Sequence, residues 1–171
     1  MGKSEQGTTA NQGRYTVIPR VLVFVFNGGD VLLLKGAPTK RLWANRYNGV
    51  GGHVESGEDV AAAALRETRE ETGLNVHDLR FRGLISINTG DELGILLIVF
   101  TARSESRKTI PSPEGTLEWV PLDDLGAYPL VKDIPTLLKR IVDSPDGAPS
   151  FFGRYWYDET DELCIAFAED R

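Results

Sequence analysis

Gly52-His53-Val54-Glu55-Ser56-Gly57-Glu58 runs into Asp59-Val60-Ala61-Ala62-Ala63-Ala64-Leu65 and then into Arg66-Glu67-Thr68-Arg69-Glu70-Glu71-Thr72-Gly73-Leu74. The alanine-rich centre favours helix, Ser56 followed by Asp59 is similar to a capping box, and Gly73 suits the left-handed residue that ends a helix. The pattern predicts one helix from about Asp59 to Thr72. Its periodicity puts Glu67, Glu70 and Glu71 on one face and makes Val60, Ala64, Leu65 and Thr68 the inward stripe. Carboxylates three and four apart repel one another by about 0.2–0.5 kcal/mol per pair on an exposed helix. Either the face is simply solvated, with Arg66 and Arg69 partly neutralising it, or a hard divalent cation sits beside it. Mg2+ takes oxygen ligands and commonly bridges one or two carboxylates to substrate phosphates.

Read with its spacing, the segment is Gly52, five residues, Glu58, seven residues, then Arg66-Glu67-Thr68-x-Glu70-Glu71-x-Gly73-Leu74. It resembles the signature box of the Nudix hydrolases, with Thr68 standing where the family has an aliphatic residue. That departure touches packing, because the threonine methyl replaces part of the aliphatic side chain. The resemblance implies an α/β fold, an α-β-α sandwich with a mixed central sheet covered by helices. It also implies an enzyme that cleaves phosphoanhydride bonds with Mg2+ or Mn2+, a pyrophosphohydrolase of a nucleoside triphosphate releasing nucleoside monophosphate and pyrophosphate. Glu67, Glu70 and Glu71 are then metal ligands or the base, and which one takes the proton stays open. Arg66 orients a glutamate through a salt bridge, the carbonyl of Gly51 joins the metal ligands, and Gly52, Glu58 and Gly73 support the box.

Outward from the box, composition sets the frame. A chain of 171 residues with 41% hydrophobic and 26% charged residues is expected to be globular, without help from disulfides, since Cys164 is the only cysteine. Cys164 is expected to be a small buried apolar residue. A net charge of −6 disfavours a nucleic-acid polymer as main partner. No apolar run approaches a membrane span and no signal-peptide core is present, so the expectation is a cytoplasmic protein, monomer or homodimer. Residues 1–14 are polar and patternless and read as a disordered tail, leaving residues 15–171 as a single domain.

Tyr15 to Phe26 reads as a strand, Asn27-Gly28-Gly29-Asp30 as a hairpin turn and Val31 to Leu34 as its partner. These near-continuous apolar runs predict a sheet covered on both faces. The following loop carries Lys35, Lys40, Arg41 and Arg46 and no acid. Either these are solvated surface charges, or one or two contact substrate phosphates, Lys35 being the first candidate because it ends the second strand. Tyr47 and Asn48 resemble the aromatic-asparagine pair at the base pocket of family members that act on oxidised purine nucleotides; Asn48 shaping a turn before Gly49 is the equal alternative. His53 is either near a phosphate or merely packed.

Past the box, Leu79 to Asn88 and Leu93 to Ala102 read as strands joined by Thr89-Gly90-Asp91-Glu92, and Arg103 to Pro113 as a loop. Glu114-Gly115-Thr116-Leu117-Glu118-Trp119-Val120 resembles the family segment with a late glutamate before a strand. Glu114 is thereby a candidate fourth carboxylate, with Glu118 the alternative. Asp123-Asp124-Leu125 suits a short turn, Ile134 to Ile141 a second covering helix, and Phe151 to Tyr157 with Leu163 to Phe167 a last hairpin. The paired aspartates of the vertebrate-type oxidised-purine enzymes align with Pro129-Leu130, so their base specificity does not carry over. The other readings are a hydrolase of a different nucleoside-diphosphate-linked or pterin triphosphate substrate, or a non-catalytic nucleotide-binding regulator of the same fold.

Overall fold

A computed structural model describes residues 13–145 and 147–168, so the tail expected over residues 1–14 lies outside the described residues except for Gly13 and Arg14. Eight strands form one mixed sheet: β1 (Thr16–Asn27), β2 (Asp30–Gly36), β3 (Tyr47–Asn48), β4 (His77–Ile87), β5 (Leu93–Arg103), β6 (Gly115–Pro121), β7 (Phe151–Tyr157) and β8 (Leu163–Phe167). Their order is β3-β2-β1-β5-β4-β7-β8, with β6 also pairing with β2. The central pair, β1 and β5, is parallel from Thr16 opposite Leu93 to Phe26 opposite Arg103. β4 runs antiparallel to β5 and parallel to β7. Two helices, α1 (Val60–Thr72) and α2 (Ile134–Asp143), cover opposite faces.

The continuous apolar runs are explained by that double cover. Val21, Val23, Val25, Leu32 and Leu34 pack with Ala63 and Ala64 of α1. Leu22, Phe24, Val31 and Leu33 pack with Ile134, Leu137, Leu138 and Ile141 of α2. Successive residues of one strand thus feed two cores, as alternating side chains must. Each fully buried Leu or Phe contributes roughly 1.5–3 kcal/mol of transfer free energy. Among the described residues no helix is long and apolar enough to cross a membrane.

The structure corrects three local expectations and adds a pairing that the sequence did not show. The N-cap of α1 is Asp59 rather than Ser56: its Oδ1 accepts the backbone N–H groups of Ala61 and Ala62, both at 2.9 Å. The buried stripe of α1 is Ala63, Ala64, Thr68 and Thr72, whereas Val60 and Leu65 are 39% and 43% exposed. Leu65 lies a full helical step round from Ala64, and Val60 sits in the first turn at the end of the contact. The buried Thr68 hydroxyl donates to the Ala64 carbonyl at 2.7 Å, so threonine here leaves no unsatisfied polar group. Cys164 is only half-buried. Finally, β3 and the segment after it were not legible as sheet: Val50 bridges to Val23 and His53 to Arg20, strapping the start of the box across β1. At the other end of α1, Gly73 takes the left-handed conformation (φ 74°) and donates to the Arg69 carbonyl at 2.8 Å.

Candidate active site

The strap and α1 meet at two glycines. A Cβ on Gly51 would lie 2.1 Å from the Val21 carbonyl oxygen, and its φ of 151° is one that side chains rarely adopt. A Cβ on Gly52 would lie 2.4 Å from Oε1 of Glu67. Only glycine lets the backbone press against the acidic helix face this closely. The Gly51 N–H donates to Oε2 of Glu71 at 3.0 Å. The carbonyls on either side, Val50 and Gly52, accept from Val23 and Val21 at 2.8 and 2.9 Å, while that of Gly51 accepts no hydrogen bond among the described residues. A carbonyl oxygen is therefore available beside Glu67 and Glu71.

Arg66 organises the rest of the box. Its guanidinium donates to both Glu58 oxygens at 2.7 and 3.1 Å, to Glu67 Oε1 at 2.9 Å, to Glu70 Oε2 at 3.2 Å and to the His53 carbonyl at 3.0 Å. The fork grips Glu58 bidentately, which lowers the pKa of Glu58 and raises that of Arg66. Glu67 is thus fixed from one side by Arg66 and from the other by Gly52. Glu71 has the contrary environment: burial pushes its carboxyl up to about 7 against the bond from Gly51, and the negative Glu67 and Glu114 add to the rise. A carboxylate crowded by others and by burial favours proton or cation uptake.

Glu67, Glu71, Glu114, Gly51 and Gly52 line a cavity of about 520 Å³. Lys40 forms an ion pair with Glu114 and lowers the pKa of Glu71, so this loop cation stands beside the site. Glu70 does not line the cavity; its side chain is 61% exposed and bound to Arg66. His53 is exposed at the rim. The opposite wall is largely apolar, formed by Leu22, Ile87, Ile95, Leu97 and Val131, with Arg20, Asn48 and Asp133 as polar members. Asn48 Oδ1 accepts the Gly49 N–H at 2.8 Å, so the residue both shapes its turn and keeps its amide N–H donors for the cavity. Arg20 Nε is buried without a partner, and burial raises the Asp133 carboxyl.

Three residues expected near substrate form a separate cluster on β2, β3 and β6. Lys35 Nζ lies 5.6 Å from the centroid of the Tyr47 ring. The Tyr47 hydroxyl donates to Glu118 Oε2 at 2.6 Å, and Tyr128 donates to Glu118 Oε1 at 3.4 Å. Burial and the Glu118 carboxylate push the Tyr47 hydroxyl up to about 12. None of Lys35, Tyr47 and Glu118 lines the cavity; Tyr47 is packed in the α2-side core with Leu33 and held by Glu118. Of the two late glutamates, Glu114 is the one at the cavity.

Sequence reading missed Arg20 and Asp133. Arg20 had a signal, the lone charge in an apolar strand; Asp133, before Ile134-Pro135, reads only as a helix start. It occupies the N-cap of α2 but makes no side-chain capping bond, which leaves the carboxylate for the cavity. Among the described residues no three Asp, Glu, His or Cys side chains converge as a ready-made metal cage. Two neighbouring carboxylates, Glu67 and Glu71, with the Gly51 carbonyl are nevertheless hard oxygen donors of the kind Mg2+ accepts when phosphates and water complete its shell.

Comparison with known proteins identifies the family of the chain. A family model described as NUDIX domain matches residues 16–141. An uncharacterised Nudix hydrolase of Bacillus subtilis is 31% identical over 120 residues, covering 67% of this chain and 73% of the relative. The oxidised purine nucleoside triphosphate hydrolase of mouse is 30% identical over 147 residues, 83% of this chain and 88% of the relative. The chain spans only 42% of the NAD-capped RNA hydrolase of Stutzerimonas stutzeri, to which it is 30% identical over 122 residues. The crystal structure of a MutT protein from Bacillus halodurans superposes with a TM-score of 0.76 at 24% identity, covering 90% of this chain and 99% of that one. The match over most of β1 to α2, with the glutamate box on α1, makes the chain a member of the Nudix hydrolase family.

Proposed function

We propose that this hydrolase cleaves a nucleoside triphosphate to the nucleoside monophosphate and pyrophosphate, with Mg2+ or Mn2+ held by Glu67, Glu71 and the Gly51 carbonyl. The observation that carries the proposal is one cavity with two unlike walls: crowded carboxylates beside glycine backbone on one, apolar side chains with Asn48, Arg20 and Asp133 on the other. Such a site takes a charged tail at one wall and a flat base at the other, and its volume is within the usual range for small ligands. The name of the mouse relative supports a triphosphate substrate. A neighbour solved with ADP-ribose, the NUDIX domain of Shewanella oneidensis NrtR, has a TM-score of 0.64 but 16% identity and argues for the fold alone.

When bound, the divalent ion neutralises phosphate oxygens and makes attack by water at phosphorus easier. Arg66 holds Glu67 in one rotamer so that no conformational search precedes the reaction. Glu71 has a carboxyl poised near neutrality and Glu67 stands beside it, which makes these two the proton-accepting candidates. Lys40, salt-bridged to Glu114, is placed to meet phosphate charge at the loop side. Glu70 acts through Arg66. A panel of nucleoside triphosphates, canonical and oxidised, incubated with Mg2+ or Mn2+ tests the proposal by release of pyrophosphate. Nucleotide binding without turnover across the panel would favour a regulator instead.

A further inference from the structure

A second cavity, of about 230 Å³, opens at the other end of the sheet on the α2 side. Among the described residues its charged lining is Arg80, Arg82 and Arg103 with Asp78. In a chain of net charge −6, three guanidinium groups around one small cavity need a cause. Strand alternation supplies two of them: Arg80 lies opposite Thr101 on the paired strands, and Arg103 follows Thr101 by two residues, so both face α2. The third, Arg82, follows Arg80 by two residues on β4 and faces the same side. Phe81 pairs with Phe100 and Gly83 with Val99, so Arg82 is the extra residue of a β-bulge. The Arg82 side chain reaches α2, where it donates to the Ile141 carbonyl at 3.2 Å. That bond anchors one corner of the guanidinium and leaves its other donors to the cavity. Neither Arg82 nor Arg103 has an ion-pair partner among the described residues.

We infer that the Arg80–Arg82–Arg103 cavity is an anion site for a phosphate group, either inorganic phosphate or a phosphomonoester. Guanidinium forks match phosphate oxygens bidentately, and two forks without carboxylate partners supply more donors than a protein carbonyl consumes. The site is distinct from the hydrolytic one. On β1 the glutamate cavity is lined by Arg20 to Leu22 and the arginine cavity by Phe26, a separation of roughly 13 Å along the strand. Its occupant is therefore a second anion, with no part in holding the triphosphate being cleaved.

The test is titration calorimetry of the full chain with inorganic phosphate, and separately with a phosphomonoester such as glycerol phosphate, in buffer containing EDTA. Chelation removes cation-assisted phosphate binding at the glutamates, and turnover is measured separately, so failure of this site and failure of the hydrolase reading are told apart. The expected result is saturable binding of at least one probe, weakened about tenfold or more in Arg103→Gln, whose guanidinium makes no bond to α2, and likewise in Arg82→Gln. Turnover should stay within about twofold of wild type in Arg103→Gln. Tighter binding of glycerol phosphate would identify a phosphomonoester as the occupant, and tighter binding of phosphate the free ion. No saturable binding of either probe up to about 10 mM, or unchanged binding in both variants, would overturn the inference. So would a lower melting temperature in Arg82→Gln with phosphate affinity intact, which is the signature of a helix-end brace alone.

Discussion

Replacing Gly52 by alanine separates folding from chemistry at this site. The new methyl would stand 2.4 Å from Glu67 Oε1, 2.5 Å from its Cδ and 2.7 Å from its Oε2. All three atoms belong to the end of one side chain, so the clash is relieved by swinging the carboxylate aside, without moving backbone. Doing so breaks the 2.9 Å bond from Arg66, a charged hydrogen bond worth about 1.5–3 kcal/mol, part of which Arg66 recovers from Glu58 and Glu70. The expected loss of stability is about 1–2 kcal/mol, within what a folded domain tolerates. Displacing a reacting group by an ångström costs on the order of 100-fold in rate, so kcat should fall by about that factor while KM changes little. Gly51→Ala is the control: its methyl would meet the Val21 carbonyl at 2.1 Å in a backbone conformation alanine avoids, so it should lose stability first. Denaturation curves with steady-state kinetics for both variants check this. Wild-type kcat in Gly52→Ala would refute the claim that Glu67 must sit where it does.

Three further outcomes are expected. Glu71, raised from 4.5 to about 7, keeps its proton in the folded protein where the unfolded chain has lost it, so its burial penalty is absent below pH 4.5 and complete above pH 7. Without divalent ions, wild type should therefore lose up to about 3 kcal/mol relative to Glu71→Gln as pH rises across that window, and Mg2+ should recover part of it at pH 8; parallel stability curves would contradict this. Asp133→Asn should shift KM and the order of base preference with kcat kept within about threefold, because Asp133 lies on the wall facing the glutamates; unaltered selectivity across a nucleotide panel would remove it from the site. Leu138→Ala, at a fully buried position of α2, should cost about 2–5 kcal/mol by chemical denaturation with kcat of the surviving fold unchanged, and a loss under 1 kcal/mol would count against the second core.

The sequence made the box helix legible because its signals are local: alanines, a cap, a terminal glycine and charge spacing. The strands were legible for the same reason, as apolar runs bounded by turns. Long-range packing was less so. Leu65 and Val60 looked inward by composition, but the rotation of α1 is set by Ala63 and Ala64 against the sheet. The carboxylates shared one helix face on paper, yet Glu70 swings to Arg66 and solvent while Glu71 is buried under the strap, a difference set by Gly51 and Gly52 some 20 positions away in the chain. Lys35 looked placed for phosphate because it ends a strand; its pairing with Tyr47 of β3, which sets its amine by the Tyr47 ring, is a long-range contact that no local pattern reveals. Asp133 reaches the cavity only because β3 docks against Pro129 and Val131, with the Tyr47 N–H donating to the Pro129 carbonyl at 3.0 Å. The bulge at Arg82 left no signature in the sequence.

The central claim is that the glutamate cavity cleaves a nucleoside triphosphate to monophosphate and pyrophosphate by a cation-assisted attack that needs Glu67 and Glu71. It is tested most directly by 31P NMR of products from a turned-over purine nucleoside triphosphate, with Mg2+, with EDTA, and with Glu71→Gln. The expected spectrum shows pyrophosphate and nucleoside monophosphate in equal amounts with Mg2+, and unreacted triphosphate in the other two samples. Nucleoside diphosphate with inorganic phosphate, or full turnover by Glu71→Gln, would contradict the account.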